Sequence, residues 1–287
     1  MALRGLTFWK GNIRIMDNRP IGVFDSGMGG LTAVRELAAL LPHEQLIYFG
    51  DTGRVPYGGR SRNTIIRYAQ QDVAFLRSFD LKAIVVACGT VSTTALPILQ
   101  AEAEGFPIFG VVDPTAQQAV DATRNGKIGL IATRASIRTG AYQAAIHQLR
   151  PEAQVSALAC PLFVPLVENG RTQPGDVVIE TVAAEYLTSL KAEGVDTLVL
   201  GCTHYPLLKE VIRNFMGADV TLIDSGAAVA RQLCGYLQEH DLAAEETQAG
   251  ACRWYVSDST EGFGVLASRF LGRPVTEPVE QVSLDGE

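Results

Sequence analysis

Short runs of consecutive apolar residues alternate with longer stretches of helical periodicity from about residue 21 onward. The runs Ile21–Phe24, Leu46–Phe49, Ala83–Ala87, Ile108–Val112, Ile128–Ala132, Val155–Ala159, Thr197–Leu200 and Val220–Ile223 predict strands. Several are apolar at successive positions, the pattern of a strand covered on both faces. After the first run, Leu31, Val34, Leu37, Ala38 and Leu41 fall on one face at a period near 3.6 and predict an amphipathic helix. Further helices are predicted over Ser61–Ser78, Thr93–Glu104, Thr115–Arg124, Ser136–Leu149, Pro174–Glu193, Pro206–Met216 and Gly226–His240. Such alternation implies an α/β fold of mostly parallel sheets flanked by helices.

The pattern also hints at duplication. Ile21-Gly-Val-Phe-Asp-Ser26 is similar to Ile128-Gly-Leu-Ile-Ala-Thr133. Cys88 follows Asp25 by 63 positions, and Cys202 follows Ala132 by 70. Two similar α/β halves would each present one cysteine across a shared cleft. The division expected is an N-terminal extension (1–19), a first domain (20–113 plus 226–287) and a second (114–225). The segment 247–287 is expected to add an edge strand and a helix to the first half. Its acidic end, Glu277–Glu287, is expected to be poorly ordered.

Length and composition fit this picture and narrow the partners. The chain has 287 residues, room for two domains at roughly 150 residues each. Its net charge of −7 argues against nucleic acid or an anionic membrane as the main partner, since both require a basic face. Met1–Arg19 is mixed and polar, without the apolar core of a signal peptide, and no stretch approaches the roughly 18 apolar residues of a membrane helix. A cytoplasmic location is expected, with reduced cysteines at 88, 160, 202, 234 and 252. None is spaced C-x-x-C, so neither a zinc knuckle nor a thioredoxin-type pair is predicted.

The chemistry concentrates at two of those cysteines. Cys88 follows the apolar run ending at Ala87 and precedes Gly-Thr-Val-Ser; Cys202 follows Leu200-Gly and precedes Thr-His-Tyr-Pro206. Each stands at the carboxyl end of a strand, where open parallel sheets bind ligands. The helix after Cys88 is expected to be capped by Thr90 or Ser92, and Pro206 suits the first turn of the helix after Cys202. Lowering a free thiol from a pKa near 8.5 to about 7 needs roughly 2 kcal/mol. A helix N-terminus supplies about 0.3–1 kcal/mol, up to about 2 when partly buried, so neighbouring groups matter. Two matched thiols facing one cleft suit work on both faces of a carbon, which is racemisation or epimerisation. Cys160, Cys234 and Cys252 lack this context and read as structural.

Other polar groups gather around these turns. Asp25 ends the first strand, and Gly27, Gly29 and Gly30 permit a tight turn with exposed N–H groups able to hold a carboxylate. The spacing is not G-x-G-x-x-G, so a dinucleotide site is not predicted. His204, two residues after Cys202, is placed to relay a proton. Glu168 closes the apolar loop Pro161–Val167. Val55-Pro-Tyr-Gly-Gly59 is a turn by composition, able to close over a small ligand.

Taken together, Phe24-Asp25-Ser26-Gly-Met-Gly-Gly30, Pro56-Tyr57-Gly58, Ala87-Cys88-Gly-Thr90, Phe163-Val-Pro-Leu-Val-Glu168 and Gly201-Cys202-Thr-His204-Tyr-Pro206 resemble the glutamate racemases. These are cofactor-independent members of the aspartate/glutamate racemase superfamily. The resemblance runs from about Ile21 to Ala230. It implies two α/β domains with L- or D-glutamate in the cleft and no cofactor or metal. Cys88 and Cys202 would be the acid/base pair, assisted by Asp25 and His204, with Glu168 supporting. Asp25, Ser26, Pro56, Tyr57, Gly58, Cys88, Gly89, Thr90, Thr203 and His204 would form the substrate site. It further implies D-glutamate supply for peptidoglycan and a homodimer. The family usually carries Asn after the first cysteine, to contact substrate; Gly89 offers only its backbone N–H there. The alternatives are a racemase of aspartate or another acid, and an amino-acid-binding module without turnover.

Overall fold

The computed structural model describes residues 16–284. Most of the expected N-terminal extension and the last three residues lie outside them. Ten strands form two sheets. The first is ordered β10 (Val279–Gln281), β9 (Ala251–Val256), β2 (Gln45–Gly50), β1 (Ile21–Asp25), β3 (Ala83–Val86), β4 (Ile108–Gly110). The second is ordered β6 (Gln154–Ala159), β5 (Lys127–Ala132), β7 (Thr197–Leu200), β8 (Thr221–Asp224). Every pairing among these strands is parallel. The interior strands β1, β3 and β7 are buried along their whole length, as helices on both faces require.

The duplication is topological as well as textual. In the first sheet β1 lies between β2 and β3, with β4 beyond; in the second, β5 lies between β6 and β7, with β8 beyond. The registers match too. Phe24 pairs with Val86, which sets Ser26 level with Cys88; Ile131 pairs with Leu200, which sets Thr133 level with Cys202.

Several expectations need correction. In the helix Leu31–Leu40, Leu31, Val34 and Leu37 are buried, but Ala38 is exposed, and Leu41 falls just past the end, where it is partly buried against the core. Burying each of those leucine or valine side chains contributes about 1.5–3 kcal/mol. The stretch 108–112 is a strand only to Gly110; Val112 already begins the helix Val112–Ala122. The predicted helix 136–149 is two helices, broken at Gly140, which takes the left-handed φ of 67° that suits glycine. The C-terminal segment adds two strands, β9 pairing with β2 and β10 forming the true edge. Glu280 and Gln281 pair within β10, so the stretch from Glu277 is not a loose tail.

Lys82, just before β3, is buried against Glu44 at 2.6 Å and also donates to the carbonyls of Asp17 and Leu242. This one ammonium ties Asp17, near the start of the described chain, and Leu242, just past the helix Ser225–Glu239, to the start of a central strand. Satisfied in this way, a buried ion avoids the penalty of an unpaired one.

Candidate active site

The carboxyl ends of β1, β3, β5 and β7 converge on one cavity of about 400 Å³. That volume suits a small ligand. Asp25, Ser26, Pro56, Tyr57, Gly58, Cys88, Gly89, Thr90, Glu168, Cys202, Thr203 and His204 all border it. The structure therefore brings together every residue expected in the acid/base and substrate-binding set. Cys160 and Cys252 are buried elsewhere, and Cys234 lies away from this cavity.

Around the first thiol, Cys88 Sγ lies 3.2 Å from Ser26 Oγ. Cys88 is itself the N-cap residue of the helix Gly89–Thr94, without a side-chain cap bond. The expectation that Thr90 or Ser92 would cap it is thus overturned. Ser92 donates to the carbonyl of Val86 and accepts from the N–H of Val111, holding the helix onto β3 and β4. Thr90 points into the cleft, its Oγ1 3.0 Å from Thr133 Oγ1 on the facing half. Burial, and then the charge of Asp25, push the Cys88 thiol up to about 12, against the pull of Ser26 and the Val91 N–H. Burial also raises Asp25, opposed by His204 and by the N–H groups of Gly30 and Gly27. Asp25 and Ser26 do not cap the helix at Leu31, whose N-cap is Gly30. Gly30 stands there because an added Cβ would fall 2.5 Å from Asp25 Cβ.

Around the second thiol, His204 Nδ1 lies 4.0 Å from Cys202 Sγ and 3.4 Å from Thr203 Oγ1. Its Nε2 lies 3.0 Å from Glu168 Oε1, and the edge of the ring packs on Phe270. Burial pulls His204 down, but the hydrogen bonds to Cys202 and Glu168 outweigh it and lift the imidazole to about 10. Glu168 ends the helix Phe163–Glu168 rather than a loop, because Phe163 and Val167, one turn apart, are both buried. It reaches the cavity as the partner of His204 and contacts no thiol.

Tyr57 borders the cavity with its ring, but its hydroxyl is turned away and donates to Asp51. Gly89 is held tightly: a Cβ there would lie 2.5 Å from the carbonyl oxygen of Gly201, the residue before Cys202. The two cysteine-bearing turns thus abut through a glycine.

Sequence reasoning missed Thr133 and Arg134. Thr133 caps the helix Arg134–Thr139 by accepting from the N–H of Ser136, and it faces Thr90. Its alignment with Ser26 in the repeat was the available signal. Arg134 is the one arginine or lysine among the lining residues and gives the cleft a cation for an anionic ligand. Nothing in its sequence context marked it.

The profile of the Asp/Glu/hydantoin racemase family matches residues 31–233. A glutamate racemase from Geobacter metallireducens is 46% identical over 269 residues, covering 94% of this chain and 98% of the relative. One from Chlorobaculum tepidum is 42% identical with the same coverage. Among solved structures, glutamate racemase from Francisella tularensis in complex with D-glutamate superposes with a TM-score of 0.85 at 39% identity, over 94% of this chain and 99% of that one.

Proposed function

The chain belongs to the Asp/Glu/hydantoin racemase family, and from that premise we propose that it interconverts L- and D-glutamate by a two-thiol proton transfer. The observation that carries the proposal is the pair of thiols at matching strand ends on one cavity, each beside its own proton-handling group. A ligand whose Cα lies between Cys88 and Cys202 meets a sulfur on each face.

In one direction Cys202, as thiolate, takes the α-proton, and Cys88, as thiol, delivers its proton to the opposite face. In the other direction the roles exchange. The bond from Cα to hydrogen breaks on one face and forms on the other, so the substrate leaves with its composition unchanged. The high pKa of Cys88 keeps it protonated as the donor in the first direction. For it to act as base, its proton must move to a neighbour, and Asp25, whose own pKa burial raises, is that neighbour. His204 serves Cys202 in the same way, and Glu168 holds the imidazole in place. Ser26, Thr90 and Thr203 supply hydroxyl donors for the substrate's polar groups, and the backbone N–H of Gly89 serves where the family has Asn. Charge developing at Cα is stabilised by such fixed donors aimed from the walls of the cleft.

The same reading divides the chain into a first domain (20–113 plus 226–287) and a second (114–225), which the two sheets support. It also places the protein in the cytoplasm as a homodimer supplying D-glutamate for peptidoglycan. No helix among the described residues is long and apolar enough to cross a membrane.

The test is incubation with L- and D-glutamate separately in D2O, following the α-proton by NMR and optical activity by circular dichroism. Deuterium uptake with loss of optical activity is expected from both enantiomers, and from aspartate far more slowly. Cys88→Ala and Cys202→Ala should each lower racemisation by at least about a hundredfold, the lower range for a lost general acid or base. Absence of exchange with glutamate, or near-normal turnover in either variant, would overturn the reading.

A further inference from the structure

Behind the Val55–Gly59 loop lies a buried polar cluster whose side chains meet the cavity lining at the Tyr57 hydroxyl. Asp51 and Asp72 are both fully buried and have one guanidinium between them: Arg54 Nε lies 2.7 Å from Asp51 and Nη2 3.0 Å from Asp72. Tyr57 donates its hydroxyl to Asp51, and the same oxygen lies 3.2 Å from Asp72. Ser257, just past β9, donates to the other oxygen of Asp51 at 2.6 Å and accepts from the N–H of Gly53. Asp51 also donates its backbone N–H to the carbonyl of Asp25.

Two carboxylates with one cation is a costly arrangement to bury, and it persists only where every member is satisfied. Burial, and then the charge of Asp51, push Asp72 well above its ordinary value, against the pull of Arg54 and of the Tyr57 hydroxyl. Its members come from three places in the chain: the loop after β2, the helix Arg62–Leu76 and the end of β9. All of them bear on one short loop whose far side meets the opposite half, where a Cβ on Gly58 would lie 3.2 Å from Thr133.

We propose that Asp51, Arg54, Asp72 and Ser257 are positioning residues that clamp the Val55–Gly59 loop against the cavity through the Tyr57 hydroxyl, and so set the affinity for the amino-acid substrate. The proposal rests on the function proposed above for the identity of that substrate. The phenol acts as a tether, and the loop presents its glycine backbone to the ligand. Function-bearing elements need such supporting contacts to hold their geometry.

The test uses Asp72→Asn and Ser257→Ala in the full chain. Each should raise KM for glutamate on the order of tenfold, the worth of one charge-assisted hydrogen bond, while kcat changes less than about threefold. Ser257→Thr, which keeps the hydroxyl, should restore KM. Amide hydrogen exchange in peptides covering residues 52–60 should quicken in both variants, with or without substrate. Unchanged KM together with unchanged exchange in that segment, whatever the effect on melting temperature, would overturn the proposal. Because the exchange readout needs no turnover, a wild type that fails to racemise glutamate would refute the assigned function without deciding the clamp. Should Asp72→Asn not fold, Ser257→Ala and its threonine counterpart decide the question alone.

Discussion

At the scale of single residues, the two thiols are alike in placement and unlike in environment. Cys88 faces a buried carboxylate and is pushed up to about 12; Cys202 faces an imidazole lifted to about 10. The asymmetry suits a reaction in which one sulfur starts as thiolate and the other as thiol. Glu168 is one of the two hydrogen-bond partners that overcome the downward pull of burial on His204. Glu168→Gln removes its charge and should lower the His204 pKa. The imidazolium persists below its pKa, so the alkaline limb of the kcat/KM profile should move to lower pH in the direction that uses Cys202 as base. An unmoved limb would show that Glu168 does not act through His204. Here the sequence was partly legible. Spacing put His204 beside Cys202, whereas the contact from Glu168, 36 positions away, exists only through the fold.

At the scale of elements, the decisive contact is between two turns. The helix Gly89–Thr94 follows β3 and runs so close to the turn after β7 that only hydrogen fits between Gly89 and the carbonyl oxygen of Gly201. A backbone oxygen cannot rotate aside, so a methyl group there must push the turns apart. Gly89→Ala should destabilise the protein by about 1–3 kcal/mol, the usual cost of overpacking. It should also lower kcat, because proton removal and delivery depend on the spacing of the two sulfurs. Denaturant midpoints and steady-state kinetics check both effects, and wild-type values in each would show that the contact relaxes freely. The central strands were legible because β1, β3 and β7 are short, fully buried and mostly apolar. The helix around residue 140 was misjudged because its apolar pattern continues across Gly140, and only the backbone conformation shows the break. β9 and β10 were harder to read because exposed residues interrupt them, in β10 as an edge position permits.

At the scale of the whole molecule, burying so many titratable groups confines stability to a pH window whose alkaline side can be derived. Burial pushes Cys88 and Cys160 up to about 12 and raises Cys252 further. In the unfolded chain these thiols ionise near pH 9, while the folded protein still holds their protons. Over that interval the unfolded state binds fewer protons, so stability falls as pH rises. His204 adds to the same slope: its raised pKa contributes stability that is complete below about 6.5 and lost as pH rises through 10. On the acid side the sign reverses. Burial of Asp196 is outweighed by hydrogen bonds from Thr123, Asn125 and Arg124, which lower its pKa, and that stability is lost as pH falls through the lowered value. Urea midpoints measured between pH 7 and 11 should therefore already decline from pH 7, as the His204 contribution is lost, and fall more steeply from about pH 9, where the thiols of the unfolded chain ionise. Replacing Cys160, which lies outside the cavity, with alanine should flatten the fall while lowering the midpoint at pH 7. A midpoint independent of pH up to 11 would mean that the thiols ionise in the folded state, and that the cores around them admit water.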